Sequence, residues 1–363
     1  MRRFHTAYTF GCIALAAFSL QGCVSRTENL DNLNVITKPY SLHFADTAGL
    51  IYSTNDGQRF VTFGSTTGGF AVDAILTSGD NVLMHIENGT NIFVSESDGD
   101  NTTFNATFKD LNPAAFGPTM MINMPAYFDS AGKSQDRIYV AAANGKGIAY
   151  QDYNGHLDSI WLYPSDAELG GRVTSFARQA NGTLVAFDND SRGLWLKQNY
   201  TTSWTRKTAA GLPPAGSGRL FIITQKNDIL AVALMGTTEY GIWRSTDDGA
   251  NFTKLPDIRP GTDPVKDITA AAAPFGKVLI ACTRDNGIWR LSGQGQWEPG
   301  NIGLRTGTRV YGIVGKDNIF KNDRKGEYVF IATSDGMYRS DDLGQTWVRL
   351  DVVSVNPVFT AVH

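Results

Sequence analysis

Short apolar runs separated by turn-rich stretches repeat from about residue 40 to the end of the chain. "TLVAFDN" (183–189), "RLFIITQ" (219–225), "KVLIACT" (277–283) and "YVFIATS" (328–334) are examples, each bounded by Gly, Asp or Asn. No long apolar stripe at the helical spacing of about 3.6 residues is present, so the pattern predicts strands. The chain has 363 residues, 42% of them hydrophobic, enough for a large core. Its 38 glycines, 11% aromatics and 18% charged residues suit a turn-rich β protein.

The N-terminus breaks this pattern. Arg2 and Arg3 precede the apolar stretch "AYTFGCIALAAFSL", which is too short for a permanent membrane span and reads as an export signal over residues 1–22. "LQGC" (Leu20–Cys23) resembles the lipobox of bacterial lipoproteins, which implies a diacylglycerol on Cys23. Residues 23–38 then read as a polar tether, and 39–363 as the folded domain. The expected location is the bacterial cell envelope, at the outer membrane, with the lipid on Cys23 as the membrane contact. Cys12 falls in the signal, leaving Cys282 as a lone cysteine in an apolar run, a small core residue without a disulfide. Removing two arginines and no acid moves the net charge from -3 to -5, which argues against nucleic acid as a partner.

A repeat organises the rest. "GIWRSTDDGANF" (Gly241–Phe252) matches "GMYRSDDLGQTW" (Gly336–Trp347) position by position, and "GLIYSTNDGQRF" (Gly49–Phe60) is a third copy. Weaker copies start at Asn91, Gly147, Gly193 and Gly287, so the starts are spaced by 42, 56, 46, 48, 46 and 49 residues. Units of that length correspond to one four-stranded propeller blade. Two apolar runs precede each copy, so each unit reads as strands A, B and C, the repeat turn, and strand D. The first unit lacks an A strand, and "PVFTAVH" (Pro357–His363) supplies one from the other end. The expectation is an all-β, seven-bladed β-propeller of four-stranded antiparallel blades, its first blade closed by both termini.

The pattern S-x-D-x-G-x-x-W resembles the Asp-box, or BNR, repeat of sialidase-like propellers. Ser340, Asp342, Gly344 and Trp347 match it; so do Ser245, Asp247, Gly249 and Phe252, with Phe for Trp. Ser53, Gly57 and Phe60 form the third copy, with Asn55 in the acidic place. The resemblance implies a structural turn: hydroxyl and carboxylate hold turn amides, glycine allows positive φ, and the aromatic packs below. In that family such turns lie away from active sites. The sialidase triarginine site is not matched, because the early segment "KPYSLHFADTAGLIYSTNDG" (38–57) carries no arginine.

The chain carries few motifs with recognisable chemistry. The histidines have no metal-ligand spacing, and no nucleophile elbow, P-loop or other cofactor motif occurs, so no metal or cofactor is expected and catalytic residues are unknown. Aligning the A strands places Arg172, Arg219, Asp267 and Arg309 at one equivalent position in successive units. Propeller A strands are innermost, so these residues would ring one mouth of the channel. One reading is ion pairing of Asp267 with neighbouring arginines; the other is a site for an anionic glycan or peptide. The expected role is a binding or assembly module with a protein or glycan partner at that mouth. A sialidase-like glycoside hydrolase is the alternative.

Overall fold

In the computed structural model the described residues are 42–46, 49–53, 60–62, 72–78, 81–86, 91–96, 101–107, 121–128, 134–141, 147–153, 162–163, 173–236, 238–317, 327–350 and 359–362. All lie within one compact unit, Ser41–His363. The signal, Cys23, the tether, Gly57 and Arg172 fall outside the described residues, and Ser53 and Phe60 are placed only as strand backbone.

The strands are β1 (Leu42–Asp46), β2 (Gly49–Ser53), β3 (Phe60–Thr62), β4 (Val72–Ser78), β5 (Asn81–Ile86), β6 (Asn91–Glu96) and β7 (Asn101–Thr107). There follow β8 (Met121–Phe128), β9 (Ser134–Ala141), β10 (Ile148–Tyr153), β11 (Ser175–Arg178), β12 (Leu184–Asp188), β13 (Gly193–Lys197) and β14 (Thr205–Lys207). Next come β15 (Leu220–Gln225), β16 (Asp228–Ala233), β17 (Ile242–Ser245), β18 (Thr253–Lys254), β19 (Ile268–Ala272), β20 (Ile280–Thr283), β21 (Ile288–Leu291) and β22 (Trp297–Pro299). The last are β23 (Val310–Asp317), β24 (Glu327–Thr333), β25 (Gly336–Ser340), β26 (Val348–Arg349) and β27 (Phe359–Val362).

These strands make seven antiparallel sheets that are not equivalent. Five contain four consecutive strands: β4–β7, β11–β14, β15–β18, β19–β22 and β23–β26. One is assembled from both ends of the described chain, β27 pairing with β1 from Leu42↔Val362 to Ala45↔Phe359. The remaining sheet, β8–β10, has three strands. The expectation of a seven-bladed propeller of four-stranded blades is therefore corrected: five blades have the complete form of four consecutive strands. At β8–β10, among the described residues, the third strand makes one further bridge, Tyr150↔Leu162, with amide-to-carbonyl bonds of 2.8 and 2.9 Å.

Burial follows strand position. β12 and β13, a second and a third strand, are buried throughout, and their sequences are apolar except for Asp188 and Lys197 at the ends. Fourth strands such as β18 and β26 are exposed and show no apolar pattern. First strands are neighbours from sheet to sheet, β11 beside β15, β15 beside β19 and β19 beside β23. Cys282 lies fully buried in β20, and burial pushes its thiol pKa up.

The two full repeat turns share one construction. Ser245 Oγ donates to Asp247 Oδ1 at 2.7 Å and accepts from the Gly249 amide at 2.9 Å. Ser340 Oγ does the same with Asp342 (2.8 Å) and Gly344 (2.8 Å). The carboxylates then accept from Asn251 and Thr346 amides, each at 2.9 Å. Each turn has consecutive left-handed residues, Asp248 and Gly249 (φ 54° and 79°), and Leu343 and Gly344 (57° and 82°). Successive sheets are clasped at these turns. The Phe252 amide donates to Ala210 O at 2.7 Å and the Trp347 amide to Ile302 O at 2.8 Å, in short parallel bridges. Gly211 and Gly303 follow the clasp, and a methyl at either would run into the carbonyl of Phe252 or Trp347.

Candidate functional site

The opposite loops, those between second and third strands and between successive sheets, build a concave site. Its first wall is the segment from β18 to β19, "LPDIRPGTDPVKD" (Leu255–Asp267). Ile258 and Val265, each 5% exposed, pack into the core, and the Val265 amide donates to Ile258 O at 2.8 Å. That pins the neck and leaves an exposed tip. Arg259 braces the tip, donating to Thr262 O at 2.7 Å and Asp257 Oδ2 at 2.9 Å. Lys254 also reaches Asp257 at 3.0 Å, and Trp297 Nε1 donates to Pro256 O at 2.7 Å. Burial alone would raise the Asp257 pKa; the two cations outweigh it and hold the carboxyl below its usual range. Pro260 and Pro264 further restrict the backbone, so the wall is ordered before any ligand arrives.

The second wall is the turn "TRDNG" (Thr283–Gly287). Thr283 Oγ1 donates to Gly287 O at 2.7 Å and accepts from the Asn286 amide at 2.9 Å. Asp267 locks this turn to the first wall. Its Oδ2 accepts from the Asp285 amide at 2.7 Å, its Oδ1 from Asn286 Nδ2 at 3.2 Å, and its carbonyl from the Arg284 amide at 2.9 Å. Met235 and Gly236 complete the site; the Met235 amide donates to Ile268 O at 2.9 Å, and the side chain is 40% exposed.

These walls enclose an open bowl of about 910 Å³, at the upper end of small-molecule sites. Charges of both signs face it: Asp263, Lys266, Asp267, Arg284 and Asp285. Their engagement differs. Asp267 is committed to the turn. Asp285 has Arg309 Nε 3.7 Å away, an exposed pair of little energetic weight (48% and 64% exposed). Lys266 lies 5.2 Å over the Tyr240 ring, whose centroid is also 4.2 Å from Lys254. Arg284 is half-buried, and among the described residues its guanidinium makes no hydrogen bond or ion pair.

Three of the four aligned residues can be placed. Arg219, Asp267 and Arg309 each precede a first strand, and their carbonyls accept from Leu234, Arg284 and Ser334 at 3.0, 2.9 and 2.9 Å. Only Asp267 lines the bowl; Arg309 touches it through Asp285, and Arg219 belongs to the preceding sheet. The carboxylate of Asp267 binds turn groups, where an arginine partner was one expectation. Arg284, the cation best placed in the bowl, was missed. Its signal is the polar turn "TRDNG" directly after the buried strand "KVLIACT". Among the described residues no cluster of His, Cys, Asp and Glu could hold a metal ion.

No known family profile and no curated protein sequence matches the chain. Solved structures do. A propeller described as YCF48 bound to D1 peptide superposes with a TM-score of 0.53 at 13% identity, over 88% of this chain and 91% of that one. YCF48 from Cyanidioschyzon merolae gives 0.52 at 14% identity, over 82% and 95%. A catalytically inactive virginiamycin B lyase from Staphylococcus aureus with quinupristin gives 0.50 at 16% identity, over 82% and 92%. At these identities the likeness is one of fold, and the fold is an all-β propeller.

Proposed function

We propose that the chain is an exported lipoprotein of the bacterial cell envelope whose propeller is a binding or assembly module, and that the bowl is its binding site. The Arg284 guanidinium carries this reading. It is half-buried in a preordered concave site and has no protein partner among the described residues. Desolvating a guanidinium is costly unless an anion meets it, and its planar fork suits a carboxylate or sulfate bidentately. The ligand is then an anionic glycan or an acidic peptide, held as one of the expectations from the sequence but at Arg284. Binding is favoured over hydrolysis because Asp267, the carboxylate between the two walls, already serves the turn. The repeat turns, read as Asp-boxes, stay structural, consistent with their internal hydrogen bonds.

A thermal-shift screen of acidic peptides and anionic sugars tests the bowl. Wild type should be stabilised in a salt-sensitive way, and Arg284→Met should lose that shift. No stabilisation by any of them, or an equal shift in Arg284→Met, would refute the proposal. The anchor is tested separately: Cys23→Ser should move the protein from the membrane to the soluble fraction and abolish palmitate labelling.

A further inference from the structure

On the side of the repeat turns, between sheets β11–β14 and β15–β18, lies a polar crevice of about 330 Å³. Its floor is one face of the β13–β14 hairpin. Leu194 stands opposite Lys207 and Leu196 opposite Thr205, so all four side chains share that face. The neighbouring repeat turn covers part of it: a methyl on Gly249 would strike Leu194. The face beyond, carrying Leu196, Thr205 and Lys207, stays open to the crevice.

Asp248 forms the wall. It is left-handed (φ 54°), and its Oδ1 accepts from Gln179 Nε2 at 3.3 Å. Gln179 is 2% exposed, and the same Nε2 donates to Asn227 O, which fixes the amide orientation. The wall residue is thus held by a buried side chain reaching across from the other sheet. Gln198 and Ser203 line the remaining rim. Among the described residues, the side chains of Gln198, Ser203, Thr205 and Lys207 make no hydrogen bond.

The chemistry of this lining is specific in kind. It offers hydroxyl and amide groups, one carboxylate and one ammonium, over a small apolar floor. A cation would meet Lys207 and an anion would meet Asp248, so neither charge is favoured. A neutral polyhydroxylated ligand satisfies every group: hydroxyls donate to Asp248 and accept from Lys207, while a C–H face rests on Leu196. The volume, near the lower end of roughly 300–1,000 Å³ for small-molecule sites, suits a single ring.

We propose that this crevice is a carbohydrate subsite for one neutral sugar ring. It lies on different loops from the bowl and does not depend on that reading.

Saturation-transfer NMR with glucose, galactose and N-acetylglucosamine tests it on the folded protein. At least one sugar should bind saturably, with contacts from the crevice residues. Thr205→Val removes a hydroxyl at constant shape. Asp248→Asn removes the charge but tolerates positive φ and keeps an acceptor for Gln179. Each should weaken binding about tenfold, with wild-type melting behaviour showing that the fold is intact. Arg284→Met, which alters the bowl alone, should bind the sugar normally. Absence of binding by all three sugars, equal binding by both crevice variants, or loss only in Arg284→Met would overturn the proposal.

Discussion

Asp267 accepts a hydrogen bond from the backbone amide of Asp285 at 2.7 Å, joining two loops that are separated by the whole of β19 and β20. One carboxylate thereby sets the angle between the two walls of the bowl. Replacing it with alanine leaves the Asp285 amide and Asn286 Nδ2 without that acceptor. Asp267→Ala should destabilise the protein by about 1–2 kcal/mol and weaken ligand binding with it. Asp267→Asn keeps an acceptor oxygen and should recover most of both. Urea melts beside a binding titration would separate the two variants. Equal loss in Ala and Asn would assign the effect to charge and not to the turn.

The repeat turns predict an acid limb of stability. Hydrogen bonds from the Asn251 side chain and amide, then from Ser245, hold the Asp247 pKa at about 2. For Asp342, burial works against ionisation, and the bonds from Thr346, Ser340 and Gln345 outweigh it, so its pKa is also lowered. Both shifts are downward. Their contribution is therefore present above the unfolded value near 3.8 and is lost as pH falls toward 2. Acid melts of wild type and Asp247→Asn should converge through that window and differ above it. Parallel curves at all pH values would contradict the assignment.

The clasps make a sharp prediction about glycines with the same backbone sign. Gly211 and Gly216 have φ of 85° and 84°, yet only Gly211 faces a carbonyl, that of Phe252. Gly216→Ala meets nothing nearby and should cost about 1–2 kcal/mol, the left-handed penalty. Gly211→Ala should cost clearly more, because a backbone oxygen cannot move aside without opening the parallel bridge. Similar losses in the two variants would show that the clasp is not rigid.

How much of this was legible beforehand depended on the range of the interactions. The third strands were readable, since β13 and β25 begin at the aligned glycines Gly193 and Gly336 and open on apolar residues. The incomplete sheet was not. The copy at Gly147 looked like the others, and fourth strands such as β18 and β26 are so short and exposed that the lack of one among the described residues leaves no trace in the apolar pattern. Arg219, Asp267 and Arg309 each precede a first strand, a position that a local alignment can fix. Their partners were not visible. Arg284 enters the bowl because Asp267 binds the turn that carries it, a side-chain contact at one end of the β19–β22 sheet that the apolar pattern does not record. The clasp of Gly211 on Phe252 likewise joins two sheets and leaves only a glycine as its sign.

The central claim is that Arg284 meets the anionic group of the ligand. Observing the arginine Nε–Hε resonances by NMR during titration with an acidic peptide or an anionic sugar from the thermal screen tests it directly. The Arg284 resonance should shift saturably and follow the binding curve, while Arg219 and Arg192, which lie outside the bowl lining, stay in place. A saturating ligand that leaves Arg284 unmoved, or that moves Arg219 in its stead, would contradict the account.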